Sequence, residues 1–229
     1  LKKTIRYILM DIEGTISSTS FVHKILFPYA LEKMESYVLG NLNDISIQEE
    51  LNHVRQTINT EGVSKTNTDL LIQYLCQWIK QDRKDPALKS LQGKIWKIGF
   101  EAGEIKSHVY SDVLPCFKKW QQQGIQLGIY SSGSVQAQEL LFTYSEKGDL
   151  SEYLSHYFDT KVGHKKIVES YHEISKQLNI LCHDILFLSD ISEELDAAAL
   201  AGFQTIQLIR PNDKSALGQH SFVETFAEI

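Results

Sequence analysis

Cysteine is scarce. Three occur in 229 residues, Cys76, Cys116 and Cys182, an odd number and far apart. That argues against a disulfide framework and against a zinc cluster, and for a reducing compartment, with each thiol serving as a small buried hydrophobe. Long apolar runs are missing too. None approaches the ~20 residues of a membrane span. Positive charge is in deficit, with 23 Lys and Arg against 29 Asp and Glu, a net charge of -6. This argues against a broad nucleic-acid footprint but leaves room for a local basic pocket that takes a phosphate. Lys2, Lys3 and Arg6 open the chain, but the apolar run behind them is too short for a signal segment and ends in acids. No internal repeat or low-complexity tract is found. The chain starts at Leu1 without Met, which suggests trimming. The expectation from these absences is a cytoplasmic protein with no nucleic-acid partner and no membrane.

What is present is the composition of an ordinary globular protein, 42% hydrophobic and 23% charged. The length suits one large domain, or one domain with an insertion. The rest is organised around Tyr7-Ile8-Leu9-Met10-Asp11-Ile12-Glu13-Gly14-Thr15. A short apolar run that ends at a turn signal reads as a strand buried on both faces of a parallel sheet. Ligands of such sheets collect beyond the carboxyl ends of the strands, where Asp11 falls. If the chain stays extended, Asp11 and Glu13 point the same way. Two close carboxylates repel unless a cation or a proton lies between them, and magnesium, which takes oxygen ligands and tolerates phosphate, is the natural partner.

From Phe21 to about Gly103 the pattern is helical. Phe21, Val22, Ile25 and Leu26 form one apolar stripe, and Pro28 can restart a helix carrying Leu31, Met34, Tyr37 and Val38. A third segment, Ile47 to Ile58, has Ser46 as its cap. A fourth runs from Thr68 to Lys80. A fifth, from Pro86 to about Ala102, buries Leu88, Leu91, Ile95, Ile98 and Gly99. Strand and helix alternate after residue 110. Strands are expected at Ile125–Tyr130, Ile185–Leu188 and Gln204–Ile209. Helices are expected at Val113–Gln123, Val135–Tyr144, Lys165–Leu178 and Ser192–Ala201, while Phe158–Thr160 is ambiguous. This defines an α/β protein with a doubly wound, Rossmann-like parallel sheet and an inserted all-helical cap. Residues 1–17 and 105–229 form the core, and 18–104 the insertion, which is placed to act as a lid.

Three strands now end in chemically useful groups: Asp11 and Glu13, then Ser131 and Ser132, then Asp190 with Glu193 and Glu194 in the following turn. A basic group, Gly163-His164-Lys165-Lys166, lies between the last two. Carboxylate, hydroxyl, lysine and second carboxylate in this order resemble the haloacid dehalogenase superfamily. Asp11 to Thr15, Ser20 to Tyr29, Ile129 to Val135, Phe158 to Lys165 and Leu186 to Asp190 narrow the likeness to its enolase-phosphatase family, from Ile8 to Pro211.

The resemblance implies an enzyme that enolises 2,3-diketo-5-methylthiopentyl 1-phosphate and then dephosphorylates it to the acireductone of L-methionine salvage. It implies Asp11, Glu13 and Lys165 as catalytic residues, with Asp11 forming an aspartyl-phosphate. Ser131, Ser132 and Lys165 are the expected substrate contacts. Asp11, Glu13 and Asp190 are the expected ligands of one magnesium ion per subunit. The superfamily usually carries Asp where this chain has Glu13. An enolate leaves more easily than an alkoxide, so Glu13 can serve the metal instead. Glu194 is a supporting acid. Lys161 and Lys166 compete with Lys165 for its role, His164 is read as positioning its loop, and His23 as a polar-face or buried residue. The small phosphorylated diketone is the expected partner, of a monomer. A generic capped phosphatase or phosphomutase of sugar phosphates, a dehalogenase, and a binding protein that kept the fold stay open as alternatives.

Overall fold

The computed structural model describes residues 5–60, 62, 67–211, 213 and 215–229, so Lys2 and Lys3 lie outside the described residues. The chain packs as two compact units, one of residues 1–21 and 106–229, the other of residues 22–105.

The first unit is built on a sheet of β1 (Tyr7–Met10), β2 (Gln126–Tyr130), β3 (His156–Phe158), β4 (Ile185–Ser189), β5 (Gln204–Leu208) and β6 (Phe222–Val223). The order is β3-β2-β1-β4-β5-β6 and every pairing is parallel. The apolar run that opens the chain is thus a central strand with all four residues buried. Its alternation feeds two cores. Ile8 and Met10 join Phe117, Trp120, Leu127, Ile129 and Phe226 on one face. Tyr7 and Leu9 join Tyr130, Tyr171, Ile174 and Phe187 on the other. Each such side chain is stabilised by roughly 1.5–3 kcal/mol on burial. The flanking helices are α6 (Val113–Gln122), α7 (Val135–Thr143), α8 (Val168–Leu178) and α9 (Ser192–Leu200), after a short α1 (Thr19–Phe21). Gly128 has a packing role: a Cβ there would collide with the Tyr7 hydroxyl, which bonds His156 Nδ1 at 3.2 Å.

The second unit consists of a π-turn (Val22–Leu26), then α2 (Phe27–Gly40), α3 (Ile45–Thr60), α4 (Thr68–Lys80) and α5 (Pro86–Glu101). Its core is Met34, Val38, Ile47, Leu51, Val54, Ile58, Leu71, Leu75, Trp78, Leu91 and Ile95. Asn67 and Asp85 cap α4 and α5 through their side chains.

Several expectations need correcting. The stripe through Ile25 fails, and this side chain is 47% exposed. The π-turn there is wider than 3.6 residues, so the spacing that made Ile25 a core position does not hold. Ile98 is also exposed, while Gly99 beside it packs on Tyr29 and Ile105. Ser46 does not cap α3; it lies inside the helix, and Asp44 accepts from its backbone N–H at 2.8 Å. The helix expected from Lys165 begins at Val168, because Ile167 is still extended, so Lys165 sits on a loop. Phe158 ends a true edge strand that starts at His156, and β6 had no sequence signal at all.

Candidate active site

β1, β2 and β4 are neighbours, so register alone brings the residues after Met10, Tyr130 and Ser189 to one edge. Asp11, Ser131 and Asp190 are all buried there. The backbone N–H of Asp11 bonds the Leu188 carbonyl at 2.9 Å, which carries the pairing one residue past β1. Gly14 then turns with φ +70°, and a Cβ on it would stand 2.5 Å from Asp190 Oδ2. Only glycine lets the loop after β1 come this close to the loop after β4 at low cost.

Lys165 is the centre of the charge arrangement. Its ammonium lies 2.5 Å from Asp11 Oδ1 and 2.6 Å from Glu194 Oε2, and all three side chains are buried. Burial alone would lower the pKa of the ammonium, but the Asp11 and Glu194 carboxylates outweigh it and leave the pKa above the ordinary lysine range. The loop that carries Lys165 is itself tied down. Tyr171 donates its hydroxyl to the Lys165 carbonyl at 2.5 Å and Tyr130 donates to the Gly163 carbonyl at 2.9 Å. Lys161 and Lys166 are exposed, and Lys166 pairs with Glu193 at 3.5 Å, so burial singles out Lys165 from its neighbours. His164 accepts from the Lys166 N–H at 3.2 Å and its carbonyl accepts from Ser170 at 2.9 Å, a loop-shaping role. His23 is exposed and lies in the other unit, edge-on to Phe27.

Among the described residues, three carboxylates gather here with one ammonium and leave an excess of negative charge. Burial first and the Asp11 charge second push Asp190 up to about 7, against the Ser215 hydroxyl. Burial and Asp11 also raise Glu194, whose Oε2 accepts from Ser189 at 2.9 Å. Asp190 Oδ1 is buried and has no hydrogen-bond partner among the described residues. An orphaned carboxylate oxygen beside a second carboxylate suits a hard divalent cation. Among the described residues no three His, Cys, Asp or Glu side chains are gathered as a metal-binding group. Asp11 and Asp190 are buried, and Glu13 is half-buried. Magnesium accepts such a site, since it commonly takes one or two carboxylates and completes its shell with water and substrate phosphate.

Ser131 Oγ accepts from the Gly133 N–H at 3.2 Å, at the turn into α7, and Ser134 caps that helix. Backbone N–H groups at such a start favour phosphate. Ser132 is exposed on the same turn. Ser189, Gln207, Arg210 and Ser215 support the site and escaped sequence reasoning. Arg210 is buried, donates to the Thr15 carbonyl at 2.7 and 2.9 Å and to Asp112 at 2.8 Å, and so holds the loop after β1 from behind. Gln207 is fully buried, but β5 also carries Gln204 and Thr205, so nothing in the sequence set it apart.

The family described as haloacid dehalogenase-like hydrolase matches residues 5–202, and the chain belongs to it. Curated relatives narrow this class. The Enolase-phosphatase E1 of Cronobacter sakazakii is 45% identical over 225 residues, 98% of this chain and 96% of that one. The protein of that name from Synechococcus elongatus is 43% identical over 236 residues, 100% of this chain and 99% of that one. The chain is thus a member of the enolase-phosphatases within the class. Among solved structures, the UTR4 protein of Saccharomyces cerevisiae superposes with a TM-score of 0.82 at 33% identity, covering 99% of this chain and 100% of that one.

Proposed function

We propose that this chain is a magnesium-dependent enolase-phosphatase. It enolises 2,3-diketo-5-methylthiopentyl 1-phosphate and dephosphorylates the enol to the acireductone of L-methionine salvage. The observation that carries this reading is the buried Lys165 held between Asp11 and Glu194, at the strand edge where Asp190 also lies. Relatives that share this chain's full length bear the name Enolase-phosphatase E1.

Lys165 grips Asp11 Oδ1, so Oδ2 is the oxygen we assign to the attack on phosphorus. As the new Asp11–phosphorus bond forms, the bond from phosphorus to the enol oxygen breaks and the enolate leaves. Water then hydrolyses the aspartyl-phosphate and returns Asp11 to its carboxylate. Lys165 stays protonated throughout and faces the phosphoryl oxygens with a positive charge. The Ser131 hydroxyl and the backbone N–H groups leading into α7 take up further phosphate oxygens, and Ser132 contacts the substrate. Asp11, Asp190 and Glu13 are the residues that would hold magnesium. When bound it neutralises the repulsion between carboxylate and phosphate and stabilises the enediolate. The enolate needs little protonation to leave, which frees Glu13 for the cation. A cytoplasmic site and a monomeric state belong to the same reading.

The test is acid-quenched turnover followed by peptide mass measurement. The reading expects phosphate on the peptide bearing Asp11 during turnover. Phosphate on another residue, or none during steady turnover, would overturn it.

A further inference from the structure

The loop after β5 carries groups the reaction described above does not use. Ser215 donates its hydroxyl to Asp190 Oδ2 at 2.8 Å. From the other side that oxygen lies against Gly14, where a Cβ would leave only 2.5 Å. The remaining oxygen, Oδ1, is buried and without a partner among the described residues. Ser215 is itself held between two anchors. Gln207, fully buried in β5, donates to the carbonyls of Asp190 and Ala216, both at 2.8 Å, and accepts from the Gly218 N–H at 2.8 Å. Asp213 accepts from the Thr19 N–H at 3.2 Å, from the Thr19 hydroxyl at 2.5 Å, and from the Tyr110 hydroxyl.

We propose that Ser215 is a positioning residue for the divalent cation. A carboxylate rotates about its last side-chain bond and presents either oxygen. The charge-assisted bond from Ser215, backed by the Gly14 backbone, fixes Oδ2 and reserves Oδ1 for the cation. Without the hydroxyl, cation binding has to order Asp190 as well as desolvate it, and affinity falls. The buried Gln207 makes this orientation a property of the folded loop: one side chain ties the Asp190 backbone to the segment that carries Ser215. The inference rests on the magnesium reading above, and its test separates the two.

Magnesium binding is measured by titration calorimetry, and manganese binding by electron paramagnetic resonance, in wild type, Ser215→Ala and Ser215→Thr. Thermal unfolding in a chelator is followed in parallel. The expected result is a Kd for both ions raised about tenfold in Ser215→Ala, the usual size for losing a partner of a ligand. Ser215→Thr, which keeps the hydroxyl, restores most of the affinity, and the metal-free melting temperatures of all three stay close. An unchanged Kd in Ser215→Ala, or equal losses in the alanine and threonine variants, overturns the proposal. Failure of wild type to bind either ion overturns the magnesium reading itself.

Discussion

Replacing Lys165 with methionine removes one charge from a buried position. The residue is 6% exposed and answers two carboxylates at 2.5 and 2.6 Å, with Asp190 close enough for the Asp11 charge to raise it. Methionine fills similar volume, so the cost is electrostatic rather than a cavity. Removing one partner of a buried ion pair leaves an uncompensated charge and costs about 3–5 kcal/mol. The penalty depends on pH in a definite direction. In wild type the lysine pKa is raised, so its contribution is complete below the unfolded value of 10.5 and is lost only as pH rises past that. At pH 5 to 8 the titrating groups in the variant are the carboxylates. They lose their counter-charge, their folded pKa values climb, and the folded state holds protons that the unfolded chain has released. Stability of the variant therefore falls further behind wild type as pH rises. We expect urea unfolding to give a deficit of about 3 kcal/mol or more at pH 8 and a clearly smaller one at pH 5. That corresponds to a melting temperature lower by about 6–12 °C at the higher pH. A deficit below about 1 kcal/mol, as for an exposed pair, or one independent of pH, would refute the reasoning.

Other perturbations have equally definite outcomes. The Asp190 pKa is raised to about 7, so metal-free wild type should lose stability as pH climbs from about 4 to 7, and magnesium should raise the melting temperature more at pH 8 than at pH 5.5; an equal rise at both would count against the carboxylate pair. Gly14→Ala places a Cβ 2.5 Å from Asp190 Oδ2 at φ +70°, and it should lower magnesium affinity together with about 1–3 kcal/mol of stability in calorimetry and urea unfolding. Gly128→Ala should cost a similar 1–3 kcal/mol or so through the Tyr7 hydroxyl, but leave magnesium affinity alone. Arg210→Met leaves Asp112 and the Thr15 carbonyl without their buried partner and should cost about 3–5 kcal/mol in the same assay.

The parts of the fold that could be read in the sequence were those where one local pattern decides the outcome. Tyr7 to Met10 is apolar on both faces because the strand is central, and the run ends where Asp11 meets the sheet edge. Thr68 to Lys80 begins and ends where its apolar spacing says it should. Ile25 was misread because a π-turn has no 3.6-residue period to betray it. Asp11, Ser131 and Asp190 were legible because each follows an apolar strand. Lys165 was found by order along the chain, but its burial and its double pairing come from the packing of α8 and α9 on the sheet. Ser215 and Arg210 could not be read. Each acts on a residue that is distant in sequence, Asp190 or Thr15, and the loop that delivers it has no periodicity.

The most direct test of the central claim is phosphate release from 2,3-diketo-5-methylthiopentyl 1-phosphate, followed together with the ultraviolet signal of the enol. It is run with and without magnesium, and with Asp11→Asn beside wild type. We predict magnesium-dependent release preceded by an enol signal, with release lost by a factor on the order of 10⁴ or more in Asp11→Asn. Release from many simple phosphomonoesters at comparable rates, with no enol signal from the diketone, would contradict it.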